Sequence, residues 1–437
     1  MSGAFSASVK WLEGDLPDPL ERMTFGDITI NVAGQVATSL VDVFSNTTRS
    51  GFRAPAVDLA AWLVENWWRL RWEPENTSLD WYLSHVLTGI GGGTAWPNLA
   101  FKSDGVHVLV EARRNVPGEI YPVRYLNDID MPIDAGAFEA GADGFIERVL
   151  GRLSALNAPA RDLSAAWSEL GRERREPDLS ALRRLEALLG FDPEGAPESL
   201  IAALNGTARE AGIDAVEEMA AAEKAETQKR LKDVLEHVRG SGHSLRLHKA
   251  EILSASQGGS DARRDLPWKR AETAAATARQ MWGIEEGLVD NGVLSDRFDL
   301  DAAVLEGPLN GSPLAAGLRK NDGDEINIVL RAKVPTGRRF ELMRTVADHL
   351  AAGTDDRLLP VTRAATDRQK FQRAFAQEFL MPYRDVCGRF CLVPGQRADI
   401  DDNDIEDIAH DYMVSPLMVK TVLVNNGHLP RETLVAA

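Results

Sequence analysis

The residues that could do chemistry lie between Arg338 and Pro382, in two consecutive segments with helical patterns. The segments read RRFELMRTVADHLAAG and DRQKFQRAFAQEFLMP, and their apolar residues recur at three- and four-residue steps, which predicts two amphipathic helices. A helical zinc-protease site needs two His at i and i+4 and a neighbouring Glu as general base. Asp348, His349 and Glu378 could ligate a metal, but they do not share one helical face in that way.

The same stretch resembles the ImmA/IrrE family of bacterial metallopeptidase-like proteins. In that family an Arg-Phe pair leads into a zinc helix of the form RFxLAHELxH, and a second helix ends close to EANxFAxxLLMP. The matching residues of this chain are Arg339, Phe340, Leu342, Phe375, Ala376, Leu380, Met381 and Pro382. Upstream, PWKRAETAAATARQMWGI is similar to the family's opening helix. The resemblance covers residues 262–437 and implies a zincin-like domain.

The metal chemistry of that family is not carried by this sequence. The family pattern, laid on without gaps, places Arg344 and Asp348 at the two His positions, Thr345 at the Glu and Phe371 at the third ligand. Arg344 is a permanent cation, Phe371 has no lone pair, and Thr345 cannot shuttle a proton near neutral pH. The i,i+4 spacing predicts an ion pair between Arg344 and Asp348. A one-residue slip would place His349 at the last ligand position.

We therefore expect a degenerate site with no catalytic residue and no bound metal. Arg344, Asp348 and His349 are its candidate pocket residues. No cofactor is expected, and zinc would enter only if this interpretation is wrong.

Composition and charge limit the classes of function. The 437 residues allow two or three domains, and a net charge of −17 disfavours broad binding to nucleic acid or to anionic membranes. Cys387 and Cys391 are the two cysteines, and their i,i+4 spacing without a nearby His predicts free thiols in a reducing compartment rather than a zinc site. Without a membrane-length apolar run or a signal-peptide pattern, the expected location is the cytoplasm.

The predicted fold is α+β and mainly helical, in three parts. Residues 1–118 are expected to form a small Trp-rich α+β domain, 119–255 a helical region, and 262–437 the ImmA/IrrE-like domain, with a linker near Ser254–Asp261. Among single elements, the patterns predict helices at Asp58–Arg71, with Asp58 as N-cap, and at Asp214–Val238.

Three shorter patterns complete the set of predicted elements. A hairpin is expected around Ser103-Asp104-Gly105, a short helix at Asp299–Leu305 and a strand at Glu325–Leu330.

Three features of the first domain have alternative interpretations. The cluster Gly89–Gly93 could hold a phosphate on exposed backbone amides, but it lacks the Lys-Ser/Thr of a P-loop, which favours a plain loop. The Trp residues could form a binding face, although Trp at helical spacing favours a core. Asp104 followed by Glu111-Ala112-Arg113 is faintly similar to a metal-dependent nuclease pattern, and an ordinary turn is favoured instead.

The tail at about 399–430 has the layout of a helix-turn-helix, and ImmA/IrrE members carry a similar segment after the peptidase core. A DNA reader needs cations to meet phosphate. Between Asp399 and Asp411 there are seven acids and no Lys or Arg, and the second helix has only Lys420. The tail is therefore expected to contact protein rather than DNA.

Three functional hypotheses follow. The first is a catalytically inactive ImmA/IrrE-type pseudo-peptidase that acts as a protein-binding regulatory scaffold in bacterial stress, mobile-element or phage-related regulation. Active relatives typically cleave helix-turn-helix repressors, so a repressor or phage-related factor is the expected partner, by analogy with the family. The second is an active metal-dependent endopeptidase with Asp348, His349 and Glu378 as unconventional ligands. The third is a DNA-binding transcriptional regulator acting through the tail.

Overall fold

The computed structural model describes residues 5–115, 121–159, 161–247, 265–284, 286–307, 311–320, 325–353, 355–393 and 395–434. The described fold is α+β and mainly helical, as predicted. It divides into two compact units, Met1–Ile201 and Ala202–Ala437. The predicted linker at Ser254–Asp261 lies outside the described residues, and the three-part division by composition stays a prediction.

Three small antiparallel sheets form the strand part of the first unit. One sheet contains β1 (Phe5–Trp11), β2 (Phe25–Val32), β3 (Gln35–Val36) and β6 (Phe52–Pro55). A second contains β4 (Leu40–Asp42), β5 (Thr47–Arg49) and β9 (Val123–Tyr125). The third has the order β10-β8-β7, from β7 (Asn98–Ser103), β8 (His107–Arg113) and β10 (Ile129–Asp134). The turn between β7 and β8 contains Asp104 and Gly105, which confirms the predicted hairpin.

The helices of the first unit enclose an aromatic core. They are α1 (Pro19–Met23), α2 (Ala56–Glu65), α3 (Trp67–Trp72), α4 (Leu79–His85), α5 (Ala135–Ala155), α6 (Arg161–Arg175) and α7 (Pro177–Leu189); α8 (Glu198–Ala211) spans the unit boundary. Trp62, Trp67, Trp68 and Trp96 are all buried in one cluster, which confirms the core interpretation for these side chains.

The predicted helix Asp58–Arg71 is wrong in two respects. It begins earlier, at Ala56 after Pro55, so Asp58 lies in the first turn and is not the N-cap. It is also divided at Asn66, whose side-chain amide donates to the Trp62 carbonyl at 2.9 Å. Such a side-chain bond competes with the helical backbone ladder, which is why Asn favours caps and breaks.

The second unit is one antiparallel sheet with helices packed on it. The strands are β11 (His243–Arg246), β12 (Ala315–Arg319), β13 (Glu325–Val329) and β14 (Leu358–Val361), in the order β11-β13-β12-β14. The helices are α9 (Ile213–Glu223), α10 (Thr227–Ser241), α11 (Pro267–Met281), α12 (Asn291–Phe298), α13 (Ala303–Glu306), α14 (Pro335–Ala351), α15 (Asp367–Leu380), α16 (Tyr383–Phe390), α17 (Asp402–Asp411) and α18 (Pro416–Asn425).

The single helix predicted at Asp214–Val238 is also wrong. The chain leaves the helix at Lys224, where φ is +48°, and α9 and α10 are separate elements joined by a 3₁₀ turn at Lys224–Glu226. The strand predicted at Glu325–Leu330 is confirmed as β13. The short helix predicted at Asp299–Leu305 is reduced to α13, because Asp299 adopts the left-handed conformation that ends α12.

The tail helices α17 and α18 are part of the core of the second unit. Ile405, Ile408, Val419 and Leu423 belong to the same buried cluster as Phe375. Among the described residues, no helix is both long and apolar enough to cross a membrane.

Candidate functional site

Helices α14 and α15, which contain the residues of the predicted degenerate site, pack directly on each other, and α11 packs on α15. Pro335 occupies the first turn of α14, where its fixed φ and missing N–H fit a helix start. Thr366 is the N-cap of α15, and its hydroxyl accepts from the Gln369 backbone N–H at 3.3 Å. These caps fix the ends of the two helices, so the residues at the motif positions meet across one interface.

Arg344, at the position where the resemblance expects the first His, is held inside the protein. Its Nη2 donates to the Thr362 carbonyl and to Gln369 Oε1, both at 2.6 Å. Burial lowers the pKa of Arg344 to about 9, so the guanidinium is still a cation at neutral pH. A cation fixed at this position repels a divalent metal.

Asp348, at the position where the resemblance expects the second His, is paired with Arg368 and not with Arg344. Arg368 Nε donates to Asp348 Oδ1 at 2.6 Å and its Nη2 donates to Oδ2 at 2.9 Å, while its Nη1 reaches Asp356 Oδ2 at 3.0 Å. The predicted Arg344–Asp348 pair is therefore wrong. Arg368 donates two hydrogen bonds to the Asp348 carboxylate, one to each oxygen, and such bidentate pairs are the stronger ones. Arg344, one turn earlier on the same helix, does not make this bidentate contact.

The charges of this network hold one another in place. Burial disfavours the cation of Arg368, but Asp348, Glu218 and Asp356 outweigh burial and raise the pKa of Arg368 above its usual value. Burial raises the pKa of Asp356, which Arg368 opposes. Asp348 is completely buried. Removal of Arg368 would therefore leave a charged carboxylate with neither a cation nor water to stabilise it.

Glu218, on α9, completes the network from outside the predicted domain. Its Oε2 accepts from the Thr366 hydroxyl at 2.7 Å. Burial raises the pKa of Glu218 to about 7, against the attraction of Arg368. Glu218 faces the interior of its own unit.

The other motif positions are occupied by groups without metal chemistry. The Thr345 hydroxyl donates to the Glu341 carbonyl at 3.0 Å, one helical turn back. Phe371, at the third-ligand position, is buried and lies beside the Phe375 ring at a centroid distance of 6.3 Å. Arg270 lies over the Phe371 ring at 5.7 Å, so this position presents an aromatic surface and a further cation.

The alternative ligand set is not assembled. His349 Nδ1 accepts from Arg319 Nε at 3.0 Å, and Glu378 Oε2 accepts from the Tyr383 backbone N–H at 3.1 Å. Within the described part of the chain, the ligand atoms of Asp348, His349 and Glu378 do not come within 4.8 Å of one another as a group. The residues at both the family positions and the alternative positions thus do not fit zinc.

The outer edge of strand β14 is also closed. Gln369 Nε2 and Gln372 Nε2 donate to the Pro360 carbonyl at 3.0 and 3.1 Å, and the Thr362 N–H donates to Gln369 Oε1 at 2.9 Å. An exposed edge strand is where an extended peptide pairs with a sheet. Side chains of α15 already occupy these backbone groups, so a substrate strand would have to displace them.

The start of β14 is covered by the junction of α8 and α9. The Arg357 N–H donates to the Ala211 carbonyl at 3.0 Å. Gly212 has a φ of +96°, and a Cβ there would lie 2.4 Å from Asp356 Oδ1. Gly212 is therefore needed both for its backbone conformation and for close approach.

The tail has the two predicted helices, and the second is buried over much of its surface. Met418, Val419, Val422, Leu423 and Val424 bury more than one face of α18. Lys420, the cation of this helix, is paired with Asp402, whose carboxylate lies 3.0 Å from Lys420 Nζ.

Arg339 anchors the turn between these tail helices to the body of the second unit. The Arg339 guanidinium donates to the Met413 carbonyl at 3.1 Å and to Asn291 Oδ1 at 2.7 Å.

The nuclease-like pattern in the first unit is not assembled into a site. Asp104 Oδ1 accepts from the backbone N–H groups of Val106 and His107 in the hairpin turn. Glu111 instead pairs with Lys102 at 2.7 Å and with Arg113. Its register partner on β7 is Ala100, four residues before Asp104.

The sequence analysis did not predict the roles of Arg368, Asp356 and Glu218, which surround Asp348. The signal that could have found Arg368 is its place in the first turn of α15, three residues before the third-ligand position. Comparisons of this chain with protein-family models, with curated proteins and with solved structures find no match.

Proposed function

We propose that residues 262–437, together with α9, form a catalytically inactive ImmA/IrrE-type pseudo-peptidase that acts as a protein-binding regulatory scaffold. The observation that supports this most is the pairing of both Asp348 oxygens with Arg368, at the position where the resemblance expects a metal ligand. The charge of this buried carboxylate is already neutralised by Arg368 through two charge-assisted hydrogen bonds, so a cation from solution would have to displace the guanidinium.

The closed edge of β14 supports binding without cleavage. A peptidase must hold its substrate as an extended strand beside the catalytic helix, and Pro360 and Thr362 are already bonded there by Gln369. A partner would therefore contact the outer surface and not a substrate cleft.

The charge of the chain favours a partner with a basic face. The net charge is −17, and Asp402, Glu406 and Asp407 are exposed on α17. Helix-turn-helix repressors carry cations to meet DNA phosphate, so their DNA-binding face is complementary to this acidic surface. We propose such a repressor, or a phage-related factor of similar charge, as the partner.

The test is incubation of the chain with a panel of purified helix-turn-helix repressors. We expect one of them to be retained intact, with retention falling as salt rises. The variant Asp402→Asn/Glu406→Gln/Asp407→Asn should retain less. The control variant Glu13→Gln/Asp15→Asn/Asp80→Asn removes the same number of exposed charges elsewhere and should retain as much as the unchanged chain. Repressor fragments whose formation stops on addition of a chelator would contradict the proposal.

A further inference from the structure

A cavity in the first unit has the composition of a small-molecule site. Its volume is about 320 Å³, within the size range of ligand pockets. It lies between the loop that follows α4 and the chain segments around β9. The side chains that define its chemistry are Tyr82, Trp96, Asn98, Arg114, Tyr121 and Tyr125.

Aromatic rings supply the walls, and the polar ends of three of these rings are already used. Trp96 Nε1 donates to the Gly91 carbonyl at 2.8 Å, and the Tyr125 hydroxyl donates to the Ala95 carbonyl at 2.7 Å. The Tyr82 hydroxyl lies 2.5 Å from the hydroxyl of Thr88. These bonds fix the rings, and what the rings can still offer a ligand is their apolar surface, which suits a planar ring.

The charge at the cavity selects an anion. Among the described residues that line it, Arg114 is the one charged residue. Its side chain is 66% exposed, and Asp128, its partner at 3.2 Å, is itself half exposed. An acid in the wall would favour a cationic ligand in an aromatic cage, and the described residues of the lining include no acid.

The glycine-rich loop Gly89–Gly93 is flanked in sequence by Thr88 and Thr94, which both line the cavity, and its backbone offers hydrogen-bond donors. Gly91, Gly92 and Gly93 have φ of +71°, +68° and +75°, a conformation that other residues rarely adopt. In the part of the chain that the structure describes, their N–H groups have no backbone acceptor. Exposed consecutive amides of this kind suit an anionic oxygen group.

We infer that this cavity binds a mononucleotide, with the base against the Tyr and Trp rings and the phosphate toward Arg114 and the glycine-rich loop. The exposed side-chain amide of Asn98, which makes no hydrogen bond to another described residue, can contact the base edge. A cavity of about 320 Å³ holds a single nucleotide, and the net charge of −17 disfavours a long nucleic-acid strand. This inference does not depend on the proposed function of the second unit.

The experiment is titration of the full chain with AMP, GMP, CMP and UMP, followed by calorimetry and by the fluorescence of the Trp residues. We expect at least one of them to bind with a dissociation constant below about 1 mM. Ribose 5-phosphate, which lacks the base, should bind at least about tenfold more weakly because stacking is lost. Equal binding of ribose 5-phosphate, or no binding of any of the four nucleotides, overturns the inference.

Two variants test the phosphate contact and the aromatic wall one at a time, and a control variant distinguishes their effects from loss of folding. Arg114→Gln and Tyr82→Ala should each weaken nucleotide binding about tenfold, by loss of the phosphate contact and of one ring wall. Arg124→Gln is the matched control, because Arg124 alternates with Val123 and Tyr125 along β9 and does not line the cavity. Thermal melting checks that each variant is folded. Unchanged affinity in folded Arg114→Gln and Tyr82→Ala proteins would contradict the assignment.

Discussion

At the scale of single residues, Arg368 sets the charge balance of the buried site. One guanidinium contacts Asp348 and Asp356 and faces Glu218, all within the interior of the second unit. A buried pair contributes little net stability compared with a well-packed apolar pair, but loss of one partner leaves an uncompensated charge. The contribution of Arg368 should therefore appear when it is removed alone.

We predict that Arg368→Met lowers the free energy of unfolding by about 3–5 kcal/mol. Adding Asp348→Asn should recover part of that loss, because the amide has no charge to leave unpaired. Arg363→Met, at an exposed position of the same segment, should change stability by less than about 0.5 kcal/mol. Urea denaturation measures all three. Equal stability of Arg368→Met and Arg363→Met would mean that the network is not formed.

Glu218 gives the site a pH dependence whose sign follows from its burial. Burial raises the pKa of Glu218 from its usual 4.5 to about 7, so the folded chain binds this proton more tightly than the unfolded chain does. Protonated Glu218 contributes its full stabilisation of the folded chain below the unfolded pKa of 4.5. This contribution falls as pH rises from 4.5 to about 7, and above that pH the free energy of unfolding no longer changes with the titration of Glu218. At neutral pH and above, an ionised Glu218 therefore costs stability.

We predict that Glu218→Gln is more stable than the unchanged chain above pH 7, by on the order of 2–3 kcal/mol. The difference should disappear as pH approaches 4.5. Glu226→Gln, an exposed change in the next turn of the chain, should show no such trend. Denaturation at several pH values tests this, and a Glu218→Gln protein that is less stable at high pH would contradict it.

At the scale of elements, the closure of β14 depends on the backbone at the α8–α9 junction. Gly212 has a positive φ, and a Cβ there would meet Asp356 Oδ1 at 2.4 Å and its Cα at 2.7 Å. The second contact is with backbone, which cannot turn aside. Replacement of this glycine must therefore shift either α9 or the segment before β14.

We predict that Gly212→Ala destabilises the chain by at least about 1–3 kcal/mol, from conformational strain and overlap together. Gly206→Ala is the matched control, because Gly206 lies inside α8 and a Cβ there meets nothing within 4 Å. That change should stabilise by about 0.5–1 kcal/mol. Thermal melting measures whether each substitution raises or lowers the stability of the chain. A Gly212→Ala protein as stable as the unchanged chain would show that the junction is not tightly packed.

The periodicity of apolar residues predicted helices correctly where the burial of one helical face determines the structure. The apolar steps around Leu342 and Phe375 predicted α14 and α15, because burial of one face selects a helix whatever lies opposite. The breaks at Asn66 and Lys224 were not predicted. Each depends on one residue whose side chain or backbone leaves the helix in its tertiary context, and propensity alone does not register that.

At the scale of the whole molecule, the sequence predicted Arg344 and Asp348 as site residues but neither their partners nor the further charged residues around them. Spacing on one helix suggested that Asp348 meets Arg344. The observed partner Arg368 is on the next helix, and Glu218 is on a helix far earlier in the chain. Such contacts depend on how elements pack, and local pattern carries no information about them. The net charge of −17, which is a sum over the chain, is readable from sequence directly.

The central claim is that an arginine–carboxylate network occupies the position where the resemblance expects a metal. The most direct measurement is the metal content of the chain, purified without added zinc and without a metal-affinity tag, by elemental analysis. We predict less than about a tenth of an equivalent of zinc, because the residues at the site do not supply a set of zinc ligands. About one equivalent of zinc, lost when Asp348 or His349 is replaced by Ala, would contradict it and make the chain a metal-dependent peptidase candidate.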